Sequence, residues 1–538
     1  MTHTLKFSKI SKLPGLLLVV FCSLPVFAAS KSSSKNELSL NKQVGQMFAF
    51  GFQGTRFTKK LKSHLSKYPP GALIFFKRNF KSTDQVSRLI DAAQKTSMSS
   101  SGMPLFTMID QEGGVVSRLP LNPPPASALA VGQTGEPQVA FDMAQLTGQA
   151  LAKLGFNFNL APVADLSDPE RQNFVGNRVF GAHPKEVSLF VQSYSKGLLS
   201  SGVLPTLKHF PGHGNVVTDS HRALPTKNIT LDELLSNDAV PFASYAKSQL
   251  PGAIMTAHVA FPQIDPSGRP ATFSKVLLTD LLRDKMKFQG LIITDDLEMY
   301  GADGIGDIGE RAVEAILAGA DLLMIAWSQD RQSKAIKAVV RAVESGRISR
   351  QRIQQSLQRI ATYKKQFAES KATSRSMAKI FKDLSSYTHK VARLNFENSL
   401  SEYPHVFAQT ADFDKIVVYS AYNSFYQQFK NRVHKPTKMI RLIPKRPVNF
   451  QRTLAKATTS LGVYYLTGSG TARLLESMPE KLRRRMVVIN TAYPGIIRNP
   501  KDYLAVFNIR TKNHLVGSRV AHVVGQARRK PSSRSKKN

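Results

Sequence analysis

The 538-residue chain has one cysteine, one tryptophan and half as many acidic side chains as basic ones. A lone cysteine excludes a disulfide scaffold, a thiolate zinc site and an iron–sulfur centre. Beyond the amino terminus no apolar run approaches the roughly 20 residues that a spanning helix needs. The shortage of acids leaves 74 Lys and Arg against 37 Asp and Glu, a formal net charge of +37. That excess is uneven, because residues 371–538 carry +24 of it. Charge of this kind supplies affinity without specificity.

What remains is ordinary globular composition, 42% hydrophobic and 21% charged, which excludes a disordered chain and a polytopic membrane protein. The length exceeds the ~250–300 residues at which single cores stop growing, so at least two domains are expected. At the amino terminus Lys6, Lys9 and Lys12 precede the apolar stretch from Leu13 to Phe27, and the small residues Ala28, Ala29 and Ser30 follow. This reads as a secretory signal peptide over residues 1–29; the alternative, a retained anchor, is disfavoured because the stretch is short. Cleavage after Ala28 removes Cys22, so the mature protein is expected to be cysteine-free, without a transmembrane segment, and exported to the periplasm or secreted. In that setting the partner expected for the basic carboxy-terminal third is an anionic envelope polymer, with no specific nucleic acid.

Eight short apolar runs punctuate the next 330 residues: Gln46–Phe50, Ala72–Phe76, Leu105–Ile109, Phe156–Leu160, Leu204–Leu207, Gly252–Thr256, Leu291–Thr294 and Asp321–Ile325. Helical patterns such as Val139–Leu154 and Lys185–Ser200 lie between them. Strand–helix alternation predicts a parallel sheet, and eight units predict a (β/α)8 TIM-type barrel over residues 40–370, with an open doubly wound sheet as the alternative. Asp110, Asp165, Lys208, His209, His258 and Asp295 all sit just after predicted strands, where barrel enzymes carry their chemistry. Residues 371–400, polar and then helical with Ser-rich punctuation, read as a linker, 401–526 as a smaller basic α/β domain with strands at Lys415–Tyr419, Val463–Leu466, Met486–Asn490 and Leu504–Phe507, and 527–538 as a disordered basic tail.

Three segments carry candidate chemistry. KHFPGHG at 208–214, with DSH at 219–221, gathers three imidazoles beside a lysine and a carboxylate in an open loop. His209 and His213 have the spacing of paired metal ligands on a helix, but Pro211 and Gly212 oppose a helix there, so neither metal nor cofactor is expected. The second segment, TDDLEM at 294–299, ends a buried strand in two acids. Asp296 can cap the following helix, which frees Asp295. In the third, DQEGG at 110–114 with Arg118 beyond it, the glycines let backbone approach a ligand, while Asp110 and Arg118 can grip vicinal hydroxyls.

With APVAD at 161–165, GNRVF at 176–180 and MTAH at 255–258, these segments resemble glycoside hydrolase family 3, and within it the bacterial β-N-acetylglucosaminidase branch. GRISRQRIQQSLQRI at 346–360 resembles that family's barrel exit. The resemblance implies a retaining exo-β-N-acetylglucosaminidase acting on N-acetylglucosamine-containing glycans or muropeptides. It implies Asp295 as nucleophile and His221 as acid/base, held by Asp219. It also implies Asp110, Arg118, Arg178, Lys208 and His209 as the residues that hold the sugar. Val115 departs from the family pattern, where arginine is frequent. Alternatives are another family 3 glycosidase or phosphorylase specificity, or a non-catalytic basic envelope-binding protein.

Overall fold

The computed structural model describes residues 38–121, 124–168, 175–214, 224–367, 373–400, 415–419, 438–442, 460–466, 469–490, 497, 503 and 505–508. The expected signal peptide (1–29) and basic tail (527–538) lie outside them.

Eight parallel strands close into a barrel in sequence order. They are β1 (Phe48–Phe50), β2 (Ala72–Phe75), β3 (Phe106–Ile109), β4 (Phe158–Asn159), β5 (Leu204–Phe210), β6 (Ala253–Thr256), β7 (Leu291–Asp296) and β8 (Leu322–Ile325). Closure is made by β1 on β8, with Phe48 opposite Leu323 and Phe50 opposite Ile325. Each strand falls on one of the eight apolar runs, since strands covered on both faces have no reason to alternate. Buried phenylalanines pack against one another around the strands: Phe52 meets Phe75 edge-on at 5.1 Å, Phe75 meets Phe156 at 5.2 Å and Phe106 meets Phe158 at 5.2 Å. Such edge-to-face contacts add to plain burial.

The outer helices present the expected apolar stripe. Thr83–Ser101 starts with a capping box, in which the Ser82 hydroxyl accepts from the Gln85 N–H, and ends at Gly102 with φ 68°, a left-handed stop that glycine adopts at least cost. Helix Arg350–Phe367 seals the amino-terminal end of the barrel. There the fully buried carboxylate of Asp321, just ahead of β8, accepts from Ser356 Oγ at 2.6 Å and Arg359 Nη1 at 3.1 Å and pairs with Arg283. On the same helix Lys364 is buried with its ammonium 2.7 Å from Gln46 Oε1.

Within the stretch read as a linker, Met377–Leu400 is a helix. Ile380, Leu384 and Val391 are fully buried on one stripe of it. Tyr387 donates to Asp142 at 2.6 Å and Asn395 to the Ala130 carbonyl at 2.7 Å. Lys379, Lys382, Lys390 and Arg393 lie on its exposed side. Beyond it β9 (Lys415–Tyr419), β10 (Lys438–Leu442), β11 (Ser460–Leu466), β12 (Met486–Asn490) and β13 (Ala505–Asn508) form a parallel sheet ordered β10-β9-β11-β12-β13. Strand β10 carries Lys438 and Arg441 among its five residues and gives no apolar run to read. Among the described residues no helix is long and apolar enough to cross a membrane.

Burial pulls the Lys364 ammonium from its usual 10.5 down to about 7. Between those values the unfolded chain binds the proton and the folded one does not, so this residue makes stability rise with pH across that window. In Lys364→Met the contribution disappears. The stability of the parent relative to the variant is therefore expected to increase from about pH 7 to pH 10, by at most about 1.4 kcal/mol per pH unit. Parallel thermal melts across that range check it.

Candidate active site

The carboxyl ends of the strands surround a cavity of about 300 Å³. Asp110, Arg118, Arg178, Lys208, His209 and Asp295 all line it, so six of the eight sequence-predicted residues come together. Asp219 and His221 lie outside the described residues.

One wall is built on the turn after β3. Gly113 has φ 97°, and a Cβ there would stand 2.3 Å from the Ala126 carbonyl oxygen, so only glycine permits the close approach. The Gln111 side chain then fixes the returning strand, its Oε1 accepting from the backbone N–H groups of Arg118 (2.8 Å) and Leu119 (3.1 Å). This brings the Arg118 guanidinium within 3.9 Å of Asp110.

Glu112 is the residue that sequence reasoning passed over. Its buried carboxylate receives Nε and Nη2 of Arg178 at 2.8 and 2.9 Å and stands 2.7 Å from Lys208 Nζ. Lys208 also donates to Asp110 at 2.9 Å. Burial opposes the charge on Glu112, but Arg178 and Lys208 overcome it and hold the carboxyl far below the usual range. Lys208, although buried, is raised above its ordinary value by Asp110 and Glu112. The DQEGG motif contained the signal, a second acid two residues after Asp110, but its cationic partners are remote in sequence.

A second network fixes the loop after β5. Asp165, fully buried, accepts from His209 Nδ1 at 2.7 Å, from the His209 backbone N–H at 3.2 Å and from that of His213 at 2.7 Å. Burial opposes its ionisation, yet the imidazoles of His209 and His213 and these hydrogen bonds lower its carboxyl to about 2. With Nδ1 bonded to Asp165, His209 has Nε2 left to meet a ligand. The His209 and His213 rings stand edge to face, 5.7 Å apart. Close approach holds the loop here too, since a Cβ on Gly214 would overlap the Leu166 carbonyl oxygen.

Across the cavity, β7 delivers two consecutive acids into different surroundings. Asp295 Oδ1 accepts the Asp296 backbone N–H at 2.8 Å. Burial would push the Asp295 carboxyl up, but the imidazoles of His258 and His209, that N–H and the Lys208 ammonium bring it below its ordinary value. Arg178 is paired with Glu112. Asp296 does not cap a helix; its Oδ1 accepts from the N–H groups of Glu298 (3.1 Å) and Ala326 (3.2 Å), tying the β7 and β8 loops together. Burial, and then the charges of Glu298 and Asp295, push it up to about 8. His258 Nε2 donates to the Asp296 carbonyl at 3.0 Å while Nδ1 faces Thr272 Oγ1 at 2.8 Å. Burial lowers its pKa, against the pull of the Asp295 carboxylate. The two consecutive acids are thus driven in opposite directions, Asp295 toward the ionised form and Asp296 toward the protonated one. Among the described residues no cluster of three or more His, Cys, Asp or Glu is arranged to hold a metal ion.

Known proteins share sequence and fold with this chain. The family model for the glycosyl hydrolase family 3 N terminal domain matches residues 39–363. A β-hexosaminidase of Idiomarina loihiensis is 38% identical over 277 residues, 51% of this chain and 81% of that protein. One from Methylococcus capsulatus is 35% identical over 294 residues, covering 54% of this chain and 85% of its own. The solved structure of a glycoside hydrolase family 3 β-N-acetylglucosaminidase from Paenibacillus sp. aligns with a TM-score of 0.78 and 27% identity over 91% of this chain and 97% of that one.

Glu112→Gln leaves Arg178 and Lys208 buried with one shared anion fewer. Unfolding free energy is expected to drop by about 3–5 kcal/mol, read from denaturant melts. Asp296→Asn keeps the two hydrogen bonds and removes the titration. Because the folded-state proton is held from the usual 3.8 up to about 8, Asp296 weakens the parent progressively as pH rises through that interval. The variant should therefore gain stability relative to the parent from pH 4 to pH 8.

Proposed function

The chain belongs to glycosyl hydrolase family 3 and is a glycoside hydrolase, and on that premise we propose that it is a retaining exo-β-N-acetylglucosaminidase. The observation that carries this reading is Asp295. It is an acid at a barrel strand end, kept ionised, facing a wall where Asp110, Arg118 and Lys208 present paired hydrogen-bonding groups suited to a sugar's hydroxyls. The β-hexosaminidase relatives and the β-N-acetylglucosaminidase structure support the sugar identity.

In this reading the Asp295 carboxylate attacks the anomeric carbon as the bond to the leaving oxygen breaks, forming a glycosyl ester. His221 gives that oxygen its proton and then takes one from the water that hydrolyses the ester, so acid and base are regenerated. Imidazole suits this exchange because its unperturbed pKa of ~6.5 lies close to neutrality. Asp219 orients the ring, as carboxylates do beside catalytic histidines. His209 offers Nε2 to the sugar, and Arg178 acts chiefly by fixing Glu112 and through it Lys208. The motif resemblance carries the roles of His221 and Asp219.

Peptidoglycan fragments are the proposed natural substrates. The Lys- and Arg-rich surroundings suit their carboxylates, and the amino-terminal pattern suits export. The excess charge of residues 371–538 supports an electrostatic hold on anionic envelope polymers, which is expected to weaken steeply with salt.

Turnover of 4-nitrophenyl N-acetyl-β-glucosaminide, with the glucoside in parallel, tests the specificity, and added phosphate that yields no sugar 1-phosphate separates hydrolysis from phosphorolysis. Asp295→Asn is expected to abolish turnover while retaining N-acetylglucosamine binding. His221→Ala is expected to lose about 10²–10⁴-fold on poor leaving groups and far less on good ones. Equal losses would remove the proton-transfer role.

A further inference from the structure

Trp327, the chain's single tryptophan, follows β8 and is 54% exposed. An indole left open to water at a cavity rim forgoes the burial that usually stabilises so large an apolar surface. Its position is nevertheless well fixed. The Trp327 backbone N–H donates to Glu298 Oε2 at 2.7 Å, on the loop that follows the Asp295–Asp296 pair. Its ring stacks near Phe76, 6.2 Å between centroids and 21° between planes. The Arg78 guanidinium lies against both rings, 3.9 Å from the Trp327 centroid and 4.3 Å from that of Phe76. Arg78 is itself held by the carbonyls of Phe52 (3.0 Å) and Ala326 (2.7 Å). A rigid, cation-backed aromatic surface is a pre-organised binding element, since little motion has to be frozen when a ligand arrives.

Trp327 is shared between two spaces. It lines the Asp295 cavity, and it also lines an adjoining groove with Phe52, Gln53, Thr58, Lys60 and Gln329. The groups proposed to grip the terminal sugar come from the β3 and β5 side of the cavity. The groove instead runs outward past the loops that follow β1 and β8. In an exo-acting enzyme the terminal sugar fills the enclosed part, and whatever it is attached to must lie toward solvent. A pyranose ring offers one apolar C–H face and a rim of hydroxyls. An aromatic platform edged by Gln53, Thr58, Lys60 and Gln329 matches both.

We propose that Trp327 and this groove form a leaving-group subsite for a second pyranose ring, so that N-acetylglucosamine linked to another sugar is preferred over N-acetylglucosamine on a small leaving group. The inference rests on the glycosidase reading above and extends it to the leaving side. The test compares N,N′-diacetylchitobiose, which places a second ring on that side, with N-acetyl-β-glucosaminyl fluoride, which places none. In Trp327→Ala, kcat/KM for the disaccharide is expected to fall about tenfold further than for the fluoride, mainly through KM. Trp327→Phe is expected to recover most of that difference, because it keeps an aromatic face. Equal losses on both substrates in a variant that melts with the parent would overturn the subsite while leaving the glycosidase reading intact. A parent that cleaves neither would overturn both.

Discussion

One desolvated carboxylate organises the mouth of the barrel. Glu112 follows β3, Lys208 belongs to β5, and Arg178 comes from the segment between β4 and β5. Two cations held this close would repel each other without the shared anion, and burying any of the three alone would cost several kcal/mol. Together they form a scaffold in which the donors facing the cavity are oriented before substrate arrives. Such preorganisation lets fixed dipoles and charges act without reorganising during reaction. Asp110 draws on the same lysine, so the sugar-facing wall and the buried hub form one electrostatic unit.

The consecutive acids of β7 show how position, not identity, assigns chemistry. Asp295 sits near His258, His209 and Lys208 and keeps its charge. Asp296 is buried beside Glu298 and Asp295 and keeps its proton. Neighbouring carboxyls driven apart in this way are a familiar means of dividing roles within one site. Here the protonated member is structural, joining the loops after β7 and β8 through Glu298 and Ala326.

The barrel was legible because parallel strands covered on both faces leave continuous apolar runs, and the polar residues that end those runs mark the functional face. The edges of the runs misled in particular places. Strand β5 continues through Lys208 and His209 to Phe210, because Asp110, Glu112 and Asp165 satisfy polar groups that look like a strand's end in isolation. The roles of Glu112, Asp165 and His258 escaped for the same reason: each depends on partners supplied by other strands. The stretch 371–400 read as polar and then helical, and the helix at Met377–Leu400 is there; what one sequence could not show is that Ile380, Leu384 and Val391 bury a stripe of it against the barrel's own helices. Asp219 and His221 were legible only as a motif.

Strand β8 carries unrelated duties at its two ends. Asp321, just ahead of its start, fastens the closing helix through Ser356 and Arg359 and pairs with Arg283 of the segment before β7, while Met324 and Trp327 toward its far end line the reaction chamber. Retailoring of the rim by mutation is thereby insulated from the fastening that keeps the chain closed. Lineages descended from such a scaffold are free to diversify their diet without renegotiating their architecture.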